Sequence, residues 1–141
     1  YVLYGTLTIN NSTLNIESFD DEGLDVADGK LIINGGKITT SGSGYYDGIR
    51  LFCGDKDTVV TVNGGEISTI WAQNPSTNKE TAVKGTVIVN GGTVATVYYE
   101  NYTTVQVKNG VTAIVEAYGA GSDKTGYETK GGYIVYGFIH E

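Results

Sequence analysis

KLIINGGKITT (residues 30–40), VVTVNGGEIST (59–69) and TVIVNGGTVAT (86–96) lie under one another without a gap, and TLTINNSTLNI (6–16) falls into the same frame. Each block is a β-branched run, an Asn-centred turn and a second β-branched run. The Asn residues are Asn10, Asn34, Asn63 and Asn90, so the steps are 24, 29 and 27 residues. A period of that size with strand patterning on both sides of a turn is the signature of stacked repeats. The fold expected is all-β: a right-handed parallel β-helix (β-solenoid) with three short strands per coil and about five coils, forming one domain over residues 1–141.

Two residues apart along a strand means the same face. Leu7, Leu31, Val60 and Val87 form one inward column, and Ile9, Ile33, Val62 and Val89 form another. Thr8, Ile32, Thr61 and Ile88 point the other way, and the mixture of Thr with Ile implies an outer face that is partly covered. After the turn, Leu14, Ile38, Ile67 and Val94 make a third inward column, followed by Ile16, Thr40, Thr69 and Thr96 near the next corner. Lys37 and Glu66 should be neighbours on adjacent coils. Asn tolerates left-handed backbone and Gly adopts positive φ without steric cost, so Asn10, Asn34, Asn63 and Asn90 are read as corner residues that stack and hydrogen-bond along the column.

A third strand is read at 23–26 and 48–52, where Gly23 meets Gly48, Leu24 meets Ile49 and Asp25 meets Arg50. In the third coil its equivalent is expected at 81–83, after an insertion from Ala72 to Glu80 that loops outwards around Pro75. The fourth coil returns by way of VQV (105–107). Residues 111–117 and 132–139 are strand-like, and Gly119 to Lys130 reads as a Gly-rich loop.

The 141 residues carry 21 Gly, one Pro, 11 Tyr, no Met and a net charge of −7. That acidity argues against a nucleic-acid partner, and no apolar run is long enough to insert in a membrane. The composition, rich in Asn, Thr, Gly and Tyr and poor in Lys, fits an extracellular or cell-surface protein, either processed or excised from a longer chain. Cys53 is the one cysteine and reads as a small buried residue; His140 has no partner in sequence.

Three features could carry chemistry. Asp20, Asp21, Glu22, Asp25 and Asp28, with Asp47 from the next coil, supply the hard oxygens that Ca²⁺ takes six to eight at a time; the alternative is a solvated acidic corner. Asp25 also has a competing partner in Arg50, the only Arg. Arg50 beside Asp25 and Asp47 is the nearest approach to a catalytic group, but an inverting hydrolase needs two carboxylates about 6.5 to 9.5 Å apart on a cleft floor, so an ion pair is the simpler reading and no enzyme is expected. Aromatic residues gather at Tyr45, Tyr46, Trp71, Tyr98, Tyr99 and Tyr102, where they could stack on sugars or cement protein contacts.

The turn motifs, together with Asp20-Asp21-Glu22-Gly23-Leu24 and Tyr46-Asp47-Gly48-Ile49, resemble a family of bacterial cell-surface β-helix proteins classed as carbohydrate-binding, over roughly residues 4 to 96. The resemblance implies a right-handed parallel β-helix whose acidic turn residues bind calcium. Glu22, inserted before the Gly, and Tyr46, where an Asp is lost, depart from that pattern. Two functions follow as expectations. One is a non-catalytic module that binds polysaccharide or adheres at the cell surface. The other is a structural subunit that stacks on copies of itself into an extracellular filament through uncapped ends.

Overall fold

The computed structural model describes residues 2–17, 23–41, 48–74, 83–100, 102–117 and 125–138. They form strands β1 (Val2–Leu3), β2 (Thr6–Ile9), β3 (Ser12–Glu17), β4 (Leu24–Ala27), β5 (Lys30–Ile33), β6 (Gly36–Ser41), β7 (Ile49–Phe52), β8 (Thr58–Val62), β9 (Glu66–Gln73), β10 (Gly85–Val89), β11 (Thr93–Tyr99), β12 (Thr103–Lys108), β13 (Thr112–Ala117), β14 (Thr125–Lys130) and β15 (Tyr133–Phe138). No helix occurs among the described residues.

Two sheets take alternate stretches of the chain. The first runs β1-β4-β7-β9-β11-β13, with β3 and β6 joining it through β9; the second runs β2-β5-β8-β10-β12-β15-β14. From β2 to β13 every pairing is parallel. The inward columns are as expected and gain a fifth member each: Leu7, Leu31, Val60, Val87 and Val105 in one, and Ile9, Ile33, Val62, Val89 and Val107 in the other. VQV is thus the fifth strand of the second sheet. Leu31, Ile33, Val60, Val62, Val87 and Val89 are wholly buried and join Ile38, Ile49, Leu51, Ile67 and Ile70 in one apolar cluster drawn from both sheets. Each such side chain stabilises the fold by roughly 1.5–3 kcal/mol before entropy is counted.

The turns explain the register. Gly36, Gly65 and Gly92 sit at φ of 96°, 97° and 75°, and a Cβ on Gly92 would come within 2.4 Å of the Gly65 carbonyl oxygen. Only glycine meets both demands. The first block lacks the pair of glycines, and there Asn11 (φ 50°) supplies the left-handed residue one position earlier. Beside the turns Lys37 does lie against Glu66, at 3.5 Å, with both side chains more than half exposed.

Three expectations are corrected. The third-coil counterpart of β4 and β7 is not 81–83: Ile49 pairs with Ile70 and Phe52 with Gln73, so β9 runs on through Ala72 and Gln73 as one strand. Thr69-Ile70-Trp71-Ala72 contains no glycine, whereas β4 and β7 each follow one, Gly23 and Gly48. The expected insertion therefore does not begin at Ala72; residues 75–82 lie outside the described residues. Second, Gly119 to Lys130 is not all loop, because Thr125–Lys130 is strand β14. Gly131 and Gly132, at φ of 61° and 84°, make the two-residue turn to β15 that a right-twisted hairpin favours. Third, the stack does not end in a parallel strand: β15 pairs antiparallel with β12 and with β14.

Candidate functional site

One outward column crosses the first sheet. Asp25 pairs with Arg50, Arg50 with Trp71, Trp71 with Tyr98, and Tyr98 with Glu116. Arg50 donates Nε–H to Asp25 Oδ1 at 2.9 Å and a terminal N–H to Asp25 Oδ2 at 2.8 Å. Its other terminal nitrogen reaches Gln73 Oε1 at 3.5 Å, and its Cζ stands 5.1 Å from the Phe52 ring centroid. Bidentate pairing uses the planar fork of the guanidinium and fixes both side chains. Arg50 is thereby an ion-paired strand residue, as the simpler reading had it.

Asp28 has a different task. At φ 54° and buried, it accepts backbone N–H bonds from Gly54, Asp55 and Lys56 on one oxygen at 2.9, 2.9 and 3.0 Å, while its own N–H donates to Thr58 Oγ1. Thr58 in turn donates to the Phe52 carbonyl. The carboxylate thus gathers the turn that leads from β7 into β8. Asp25 and Asp28 both accept hydrogen bonds from protein donors, Asp25 through both carboxylate oxygens and Asp28 through Oδ1. Asp20, Asp21, Glu22 and Asp47 lie outside the described residues, as do Tyr45 and Tyr46.

The aromatic set divides by depth. Tyr99 is 2% exposed and Trp71 7% exposed, so neither ring offers a stacking surface, while Tyr98 and Tyr102 are half-buried. Tyr102, at φ 59°, works through its backbone: its carbonyl accepts from Gly85 N–H and from the Asn74 amide, which also donates to Val83 O at 2.8 Å. Asn74 is itself buried. These bonds close the corner between the two sheets.

Glu100, which the sequence does not single out, stands at the same corner. Its N–H donates to the Ala72 carbonyl at 3.1 Å. Burial pushes its carboxyl up from 4.5 to about 7, against the opposing pull of the neighbouring Trp71 indole. Cys53 is fully buried, and burial raises its thiol to about 11, which leaves it an inert packing residue.

The four corner Asn residues form a continuous ladder. Asn34 donates its amide to Asn10 Oδ1 at 2.8 Å, Asn63 to Asn34 at 2.9 Å and Asn90 to Asn63 at 2.9 Å. The last acceptor, Asn90 Oδ1, receives the hydroxyl of Tyr133.

No family model, curated protein or solved structure matches this chain.

Proposed function

We propose that the chain is a right-handed parallel β-solenoid and that it serves as a non-catalytic, carbohydrate-binding or adhesive module outside the cell or at its surface. The observation that carries this reading is the in-register outward column Asp25, Arg50, Trp71, Tyr98 and Glu116. Strands in such a sheet are spaced by about 4.8 Å, so an extended glycan lying across them meets polar and aromatic groups at a fixed interval on a rigid floor. Tyr98 is the half-buried ring of that column; the buried Trp71 supports it from the adjacent strand. The carboxylate pairing of Arg50 leaves no cationic base there, which favours binding over turnover. The resemblance to surface β-helix proteins points the same way. Calcium, as part of this proposal, rests on Asp20, Asp21, Glu22, Asp25, Asp28 and Asp47.

Affinity electrophoresis through gels containing neutral or acidic polysaccharides tests the reading. Retardation that Tyr98→Ala abolishes while the fold survives is the expected result; equal mobility in every glycan gel overturns it.

A second reading, assembly through strand edges, is favoured by the ends of the core. Ala113, Val115 and Ala117 at one end, and Leu7, Leu14 and Ile16 at the other, are only partly buried, and Ile114 is 58% exposed. Apolar ends with unpaired edges invite another strand.

A further inference from the structure

We infer that the β14–β15 hairpin is a cap that occupies the edge on which a second copy of this chain would otherwise add its β2 strand. The inference bears on the second reading above and limits it: as long as the hairpin is seated, head-to-tail growth is blocked.

The edge of β12 is suited to such an addition. The second sheet repeats one parallel pairing four times, β2 on β5, β5 on β8, β8 on β10 and β10 on β12, each time placing apolar residues on the same two inward columns. A β2 strand laid on β12 would set Leu7 and Ile9 onto Val105 and Val107, a fifth copy of a pairing already made. The same copy would bring its β3 towards β13, whose inward Ala113 and Val115 are incompletely covered. Neither β2 nor β3 carries a Lys or Pro, the usual guards of an exposed edge.

The hairpin stands in that place. β15 pairs with β12 from Thr104–Gly137 to Lys108–Tyr133 in the antiparallel sense. Tyr133 gives its hydroxyl to Asn90 Oδ1, because Lys108 falls where the next ladder Asn would stand. Tyr136 lies over the end of the core, its ring 6.5 Å from that of Tyr99 and 5.8 Å from Tyr127. The new outer edge, β14, carries two exposed charges, Glu128 and Lys130, where β12 has only Lys108 at its end. The cap is also lightly buried, as a segment that opens locally must be. From Tyr127 to Gly137 every residue is exposed or half-buried, and a Cβ on Gly131 or Gly132 would meet nothing within 4 Å.

Sedimentation velocity from micromolar to millimolar protein tests the cap. Wild type should be monomeric at micromolar protein and only begin to associate, without forming fibres, near millimolar. Val135→Pro should associate with rising concentration: β15 is flanked by β12 and β14, so proline removes a ladder donor whichever neighbour it serves. Tyr133→Phe, which deletes only the hydroxyl, should raise the association constant about fivefold over wild type. Leu7→Lys, an inward charge on the incoming strand, should reverse the association of Val135→Pro. Fibres from wild type would overturn the cap and leave the assembly reading standing. A Val135→Pro protein that keeps its β circular dichroism yet stays monomeric would overturn both. If Val135→Pro loses its β signal, Tyr133→Phe decides alone, and sedimentation indistinguishable from wild type overturns the cap.

Discussion

Arg50 clasps Asp25 across two adjacent parallel strands with bonds of 2.9 and 2.8 Å, and the pair keeps only 22% and 14% of its side-chain surface in contact with water. A pair this sheltered behaves differently from Lys37 and Glu66, which are largely solvated. Removing Arg50 strands a carboxylate in a half-buried position. Arg50→Ala should therefore cost about 2 kcal/mol, discounted for the remaining solvent, whereas Lys37→Ala should cost under about 0.5 kcal/mol. Urea unfolding of both variants, with the Asp25→Asn double mutant to complete the cycle, measures the difference; equal losses would show that the clasp adds nothing.

The Asn ladder makes a positional prediction. Asn63 is held from both sides, donating to Asn34 and accepting from Asn90, while Asn10 only accepts. Asn63→Ala should lower stability by roughly 1–2 kcal/mol and Asn10→Ala by about half of that. The reverse order in denaturant midpoints would mean that the stacked amides are not coupled.

Glycine at the turns separates strain from collision. Gly65 (φ 97°) would place a Cβ 2.7 Å from the Gly36 carbonyl oxygen, whereas Gly110 (φ 86°) has open space around it. Gly110→Ala should cost about 1 kcal/mol for the left-handed backbone alone, and Gly65→Ala at least ~3 kcal/mol, because the neighbouring turn must also move. Thermal melts of the two proteins would expose an error if they coincide.

These contrasts also mark how far the sequence is legible. The inward columns could be read because alternation with a period of two and a glycine-bearing turn both repeat, so register follows from an ungapped alignment. The starts of β4 and β7 were legible only because Gly23 and Gly48 precede them. At Thr69-Ile70 no turn residue appears, and the strand simply continues. Trp71 lies on the outward face beside Arg50 and Tyr98, a placement missed by expecting the counterpart of β7 at 81–83, and a period of two carries no information about depth: Trp71 is buried there. The hairpin was hidden by a Gly-rich surrounding; its signal is Lys108 in the ladder column, which ends the Asn series, followed by Gly131-Gly132 between two alternating runs. Glu100 has no signature in sequence, since its burial is produced by residues remote along the chain.

Glu100 yields a pH dependence of definite sign. Its carboxyl titrates at about 7 in the folded chain against 4.5 ordinarily, because burial disfavours the charged form. The unfolded chain therefore releases this proton first as pH rises. The contribution of Glu100 to stability is fully present below about pH 4.5, declines as pH climbs from there to about 7, and is lost above. Solvent at the half-buried side chain reduces the effect to the order of 2 kcal/mol or less. Glu100→Gln keeps the shape without the titration, so the variant should gain on wild type steadily between pH 4.5 and 7 and hold that gain at higher pH. The measurement is the difference in urea unfolding free energy between the two proteins from pH 4 to pH 9. A difference that stays flat across this range would mean that the carboxylate is as well solvated in the folded chain as in the unfolded one, and that the corner between the sheets is open to water.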